Sequence, residues 1–177
     1  LKVLSQAAKA AIEAEFLKYP DKRSTLLPAL WVAQKEVGYL SEAAMIDVAE
    51  LLDITPVQVQ DVATFYYMYN MKPVGRFHVQ VCKSLACSLV GARSMIDLLK
   101  KRLEVEIGEV TPDGLFSIKG VECLSACGAG PMMQINEDYY EQLTEEKVIR
   151  ILDDLRRNGK SSLATKKFRL PMVESCQ

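Results

Sequence analysis

As far as Asn70 the apolar positions recur at helical spacing, and no stretch alternates as a half-buried strand does. An amphipathic stretch from Ser5 to Lys18 ends before Pro20. Asp21 or Ser24 then caps a second helix that runs through Leu27, Leu30, Trp31 and Ala33 and stops at Gly38. Ser41 caps a third helix carrying Met45, Ile46, Val48, Ala49 and Leu52, and Thr55-Pro56 sets a cap before a proline at the first helical position. The pattern predicts a small bundle of four short helices over residues 1–73. Trp31, Phe65, Tyr66, Tyr67 and Tyr69 fall at spacings expected of core packing within it, with a partner-facing aromatic stripe as the alternative.

Lys72-Pro73-Val74-Gly75 interrupts this rhythm like a linker, and beyond it Phe77, Val79 and Val81 alternate with Arg76, His78 and Gln80. That strand runs into Cys82 and Cys87, after which residues 89–102 show helical spacing through Leu89, Met95, Leu98 and Leu99. Thr111-Pro112-Asp113-Gly114 is a turn, Leu115 to Val121 a second strand, and Cys123 and Cys127 follow at once. Met132 to Ile135 and Tyr139-Tyr140 flank a turn at Asn136-Glu137-Asp138, and Thr144 caps a last helix that ends near Asn158-Gly159. The order βαβ then ββα predicts an α+β chain whose second domain, residues 74–159, is thioredoxin-like. A right-handed crossover makes the first two strands parallel and brings the two cysteine loops to one edge. Residues 160–177 lack periodicity and are expected to form an extended tail, ordered by a partner.

Charge and composition narrow the partners. Twenty-two basic against twenty-three acidic residues give a net charge of -1, so no positive field points to nucleic acid. Charges interrupt every apolar run well short of a membrane span, which predicts no direct membrane insertion. Five cysteines are too few and too uneven for a disulfide scaffold, and their odd number suits a reducing compartment. Cys176 stands apart near the C-terminus, where a free thiol is expected.

The remaining four cysteines form two pairs, Cys82-x4-Cys87 and Cys123-x3-Cys127, with 35 residues between them. Four thiolates gathered at one edge repel one another unless a metal centre neutralises them, which leaves a structural zinc or an iron-sulfur cluster. Small residues crowd both pairs: Ser84, Ala86 and Ser88 at the first, Ser125, Ala126, Gly128, Ala129 and Gly130 at the second. They let backbone N–H groups approach sulfur closely, as a cluster that gains charge on reduction requires, and the loops are wider than a zinc knuckle. A disulfide oxidoreductase is the weaker alternative, because no Cys-x-x-Cys is present. His78, the only histidine, alternates onto the polar face of its strand, where a surface role is expected. No dinucleotide or phosphate loop is visible, so hydride chemistry would need a flavin on a partner chain.

Several segments taken together resemble a known family: Val62-Ala63-Thr64-Phe65-Tyr66, Lys72-Pro73-Val74-Gly75, Gly108-Glu109-Val110-Thr111-Pro112-Asp113, Val121-Glu122-Cys123-Leu124 and Gln134-Ile135-Asn136. With the four cysteines and Pro131 they are similar to the 24 kDa subunits of respiratory complex I, from about residue 10 to 157. The resemblance implies a helical module followed by a thioredoxin-like 2Fe-2S ferredoxin, with Cys82, Cys87, Cys123 and Cys127 as cluster ligands. It implies no catalytic residue on this chain, and a larger partner flavoprotein that binds FMN and NADH in NADH:quinone oxidoreductase. It also implies further iron-sulfur subunits of a peripheral arm on the cytoplasmic face of a bacterial inner membrane, or on the mitochondrial matrix face. The homologous diaphorase subunit of an NAD-linked hydrogenase or formate dehydrogenase would carry the same chemistry, and a zinc-stabilised interaction module is the rival of another class. Ser125 departs from the family's usual glycine, which predicts a reduction potential unlike that of close relatives.

Overall fold

A computed structural model describes residues 3–167 and divides the chain at Pro73 and Val74 into two compact units. In the first, α1 (Gln6–Glu15), α2 (Leu26–Val37), α3 (Glu42–Leu52) and α4 (Pro56–Phe65) form the four short helices. Local chemistry sets their ends. The hydroxyls of Ser5, Ser41 and Thr55 each accept the backbone N–H three residues on, and Gln58 completes a capping box with Thr55. Gly38 and Asp53 close α2 and α3 in the left-handed conformation. Neither Asp21 nor Ser24 caps α2, whose N-cap is Thr25; Asp21 instead accepts the Ser24 N–H within the 3-10 turn Arg23–Thr25 that leads into the helix.

Ile12, Leu30, Val48 and Val59 meet in the core of this unit with no exposed surface. Two buried polar side chains are paired rather than orphaned. Asp47 accepts the N–H groups of Val3 and Leu4, and Gln34 donates to the Met68 carbonyl while accepting from the Asn70 N–H. The aromatic residues depart from the expected pattern. Tyr69 is buried and donates its hydroxyl to the Leu27 carbonyl, but Phe65 is 77% and Tyr67 54% exposed. The reason is where α4 stops: Phe65 is its last residue, and the chain is extended at Tyr66, so the residues there no longer follow the buried stripe.

The second unit is a mixed sheet in the order β2-β1-β3-β4-β5, built from β1 (Phe77–Cys82), β2 (Phe116–Val121), β3 (Met133–Ile135), β4 (Asp138–Tyr140) and β5 (Lys166–Lys167). β1 and β2 run parallel, and the other neighbours are antiparallel. Phe77, Val79 and Val81 of β1 pack with Leu99 of α6 (Ala92–Leu103) and Ile151 of α7 (Glu145–Asn158) in one core. Thr144 caps α7 and Gly159 ends it in the left-handed conformation. The helical run expected at 89–102 is broken, because Gly91 at φ 101° separates a short α5 (Leu85–Leu89) from α6.

Two further expectations meet a different structure. His78 is 7% exposed: its strand neighbour Ser117 is itself buried and holds Nδ1 at 2.8 Å, so the polar face of β1 is covered at this point. After Gly159, Ser161 donates to Asp154, and the Thr165 N–H bonds the Tyr139 carbonyl, which brings β5 onto the edge of β4. Cys176 and the rest of the expected tail lie outside the described residues.

Candidate metal centre

The ladder between β1 and β2 pairs Cys82 with Val121, and the Lys83 N–H extends it by one more bond to the Val121 carbonyl at 2.9 Å. Parallel strands in this register end side by side, so each delivers its cysteine loop to the same edge of the sheet. From Cys82 the chain turns into α5, which carries Cys87. From Val121 it passes Cys123 and reaches Cys127 at the start of a 3-10 turn, Cys127–Ala129. All four candidate residues are thus brought together, and all four are free thiols.

They come together as two pairs. The sulfurs of Cys123 and Cys127 are 3.6 Å apart, and Cys82 and Cys87 lie close enough that each shifts the other's pKa. Each pair feels the other, since Cys82 acts electrostatically on Cys127 and Cys127 on Cys87. Among the described residues no three His, Cys, Asp or Glu side chains converge as a single ion requires. Two pairs of thiols, one at the end of each strand, could serve a unit with two irons, each taking two thiolates.

Burial and backbone donors give the two ends different characters. Cys82 and Cys87 are 1% exposed and pack with Ala92, Met132 and Tyr139, whereas Cys123 and Cys127 face solvent. Burial pushes the Cys82 thiol up, but the N–H groups of Leu124 and Ser84, with Cys87 and the Ser84 hydroxyl, together hold it below its usual value. Burial, then the neighbouring Cys82, push Cys87 up to about 11 despite a bond from the Met132 N–H. The Cys127 thiol is raised by Cys123 beside it. At the second pair the Ser125 N–H meets the Cys123 sulfur at 3.3 Å. Ser125 reaches that position only in the left-handed region, at φ 59°.

These features fit an iron-sulfur group. The ligands are soft thiols; the Ser125 N–H meets one of them, and the backbone of Leu124, Ser84 and Met132 draws the pKa of the buried pair downward. Gly130 adds a close approach: a Cβ there would sit 3.3 Å from the Cys87 sulfur and 3.1 Å from a Val90 methyl. Sequence spacing identified the four thiols but not the donor from Met132, which comes from a segment that reads only as strand, nor the role of Ser84. The polar cleft lined by Asp97, Lys100, Lys101 and Glu104 is remote from this chemistry and contains no thiol.

Comparison with known proteins agrees with the geometry. The family model for thioredoxin-like 2Fe-2S ferredoxins matches residues 12–156. An NADH-quinone oxidoreductase subunit of Rhizobium meliloti (strain 1021) is 41% identical over 145 residues, which cover 82% of this chain and 86% of that protein. NADH-quinone oxidoreductase subunit 2 of Thermus thermophilus is 40% identical over 148 residues, covering 82% of each. Among solved structures, an NAD+-reducing NiFe-hydrogenase in the air-oxidized state superposes with a TM-score of 0.69 at 16% identity. The match covers 82% of this chain but 25% of that longer one, and it speaks for the fold alone.

Proposed function

The chain belongs to the thioredoxin-like 2Fe-2S ferredoxin family, and from that premise we propose that Cys82, Cys87, Cys123 and Cys127 hold one 2Fe-2S cluster in an electron-transfer subunit of an NADH:quinone oxidoreductase. When bound, the cluster supplies a store for one electron at a time. The protein's part is to hold and insulate it. Cys82 and Cys87 would fix one iron inside the unit, and Cys123 and Cys127 the other at the surface. The N–H groups of Leu124, Ser84, Met132 and Ser125 would offset the charge that reduction adds at sulfur.

The observation that carries this proposal is the delivery of two thiol pairs, one buried and one exposed, from the adjacent ends of parallel β1 and β2. An electron partner would approach over the Cys123 and Cys127 side. We assign that partner as the larger FMN- and NADH-binding flavoprotein subunit, whose flavin divides a hydride into single electrons. Further iron-sulfur subunits would complete a peripheral arm on the cytoplasmic face of the membrane. No described helix is long and apolar enough to cross a membrane, in keeping with a peripheral place. Identity of 40–41% to NADH-quinone oxidoreductase subunits supports the quinone-linked enzyme over the hydrogenase diaphorase.

The test is iron and sulfide analysis with electron paramagnetic resonance of the anaerobically purified, dithionite-reduced chain. About two irons and two sulfides, with a spin-one-half signal lost in Cys123→Ser, are expected of the cluster. One zinc per chain and no signal, from protein made with ample iron and kept from oxygen, would reject it. Copurification from the native membrane tests the assembly separately: a flavoprotein with quinone reductase activity is expected, and a hydrogenase subunit would overturn the assignment.

A further inference from the structure

Glu122 stands between the last residue of β2 and Cys123, and its carboxylate reaches out of its own loop. Oε1 lies 3.3 Å from the Lys83 Nζ, and Oε2 accepts the Ser84 hydroxyl at 3.4 Å. Both partners belong to the first cysteine loop, since Lys83 and Ser84 are the two residues that follow Cys82. The carboxylate therefore ties the two loops together at their base.

Each partner is held for this contact. The Lys83 N–H bonds the Val121 carbonyl at 2.9 Å, and its side chain passes over Gly120, where a Cβ would stand 3.5 Å from the Lys83 Cδ. Backbone and stem thus lie against β2, and the ammonium ends beside Glu122. Ser84 departs from the other described serine and threonine N-caps with extended backbone. The hydroxyls of Ser5, Ser41, Thr55 and Thr144 each accept an N–H from their own first turn, whereas that of Ser84 is turned to Glu122. Beyond Ser84 the loop is braced from within. The Ser88 hydroxyl donates to the Lys83 carbonyl at 2.8 Å and the Ser88 N–H to the Ser84 carbonyl at 2.9 Å, so the segment that carries Cys87 is fixed to the two residues that Glu122 holds.

We propose that Glu122 and Lys83 are positioning residues for the iron-sulfur site: they form a clasp across the two cysteine loops that keeps the thiol pairs together and slows loss of the cluster. This role rests on the cluster assignment above. The clasp lies at the rim, with the Lys83 and Glu122 side chains 48% and 61% exposed, so its attraction is modest and is screened by salt. It acts as a brake on separation of the loops rather than as a support of the core, which is built from other residues.

The experiment follows release of iron from the full, cluster-loaded chain to an excess of chelator, read as decay of the cluster's visible absorbance. Glu122→Lys sets two ammonium groups against each other, and Lys83→Glu two carboxylates. Each is expected to release iron about two- to fivefold faster than the wild type, the range that an exposed ion pair spans. The double variant Lys83→Glu/Glu122→Lys restores the attraction and is expected to fall within about twofold of the wild-type rate. Raising salt from about 0.05 M to about 0.5 M should speed release from the wild type and the exchanged pair, and slow it in each single reversal as the repulsion is screened. A purely structural contribution of either side chain would give neither the rescue nor the change of sign.

Single reversals that release iron at the wild-type rate, or an exchanged pair as leaky as either reversal, would overturn the clasp. Should a reversal prevent loading of the cluster, hydrogen exchange of the Lys83 amide, whose bond to Val121 closes the base of the loops, makes the same comparison on the full chain before loading. Faster exchange in each reversal and its recovery in the exchanged pair are expected, and equal rates throughout would overturn the clasp. A wild-type chain without iron and sulfide is a different failure: it removes the cluster assignment, and amide exchange still decides whether the loops are clasped.

Discussion

Cys82 lies directly opposite Val121 across the parallel ladder of β1 and β2, which places Cys123 two residues beyond the position level with Cys82. The relationship turns a long gap in sequence into proximity in space. It also makes the metal centre dependent on strand register, since any slip between β1 and β2 would separate the thiol pairs.

Gly75 guards that register. A Cβ at Gly75 would stand 2.4 Å from the Phe116 carbonyl carbon and 2.7 Å from the Ser117 nitrogen, both backbone atoms that cannot step aside cheaply. The Gly75 N–H also donates to the Ser117 hydroxyl at 2.9 Å. Gly75→Ala is expected to force β1 away from β2 and cost about 1–3 kcal/mol. Urea unfolding reads the loss of stability, and iron analysis reads the accompanying loss of cluster. A variant with wild-type midpoint and iron content would show that the strands accommodate the methyl.

In the helical unit the contrast between Tyr69 and Phe65 gives a second expectation. Tyr69 is 3% exposed and its hydroxyl donates to the Leu27 carbonyl at 2.7 Å, so Tyr69→Phe removes a part-buried hydrogen bond. A loss of about 1 kcal/mol is expected. Phe65→Ala removes a side chain that is 77% exposed, and its effect on the unfolding of the isolated chain should stay within about 0.5 kcal/mol. The reverse ranking in urea denaturation would contradict the packing described.

That contrast also marks how far the sequence could be read. Caps at Ser41, Thr55 and Thr144 and stops at Gly38 and Gly159 were legible because they are local chemistry, settled within three or four residues. The parallel pairing of β1 and β2 followed from chain order and the handedness of crossovers. The burial of His78 was not legible, because alternation assigns a residue to a face without saying what covers that face. Likewise the exposure of Phe65 and Tyr67 depends on where α4 ends, and periodicity extrapolates past such an end. For the metal centre, spacing pointed to the thiols, whereas the influence of the Met132 backbone on Cys87 and the bond from Ser84 to Glu122 depend on tertiary placement.

Ser125 supplies a third expectation. The atom that meets the Cys123 sulfur is its backbone N–H, which a glycine would keep. Contrary to the expectation raised by the sequence at this position, Ser125→Gly is therefore expected to leave the midpoint potential unchanged. Its stability should also change little, since relief of the φ 59° conformation offsets the greater freedom of glycine in the unfolded chain. Ser125→Val tests the strain from the other side: a β-branched residue tolerates this region poorly, and a loss of about 1–2 kcal/mol is expected. A potential that moves with Ser125→Gly would implicate the hydroxyl instead.

His78 governs the response to acid. Its Nδ1 faces Ser117, its backbone N–H and carbonyl bond Asn136, and Lys119 acts on it electrostatically. Burial, and then the Lys119 ammonium, bring its pKa down to about 4. In the unfolded chain the ring takes up its proton near pH 6.5, so a fall in pH favours unfolding throughout the interval between the two values. The stabilisation from the neutral ring is complete above about pH 6.5 and is lost as pH falls from there to about 4, in all about 3 kcal/mol. His78→Gln cannot titrate in this window. Measured by urea unfolding from about pH 7.5 to about 4.5, the wild type is expected to lose about 2–3 kcal/mol more than the variant. Protonation of cluster ligands is common to both proteins and cancels in the difference. Parallel curves would mean that the buried imidazole accepts its proton without disturbing the fold.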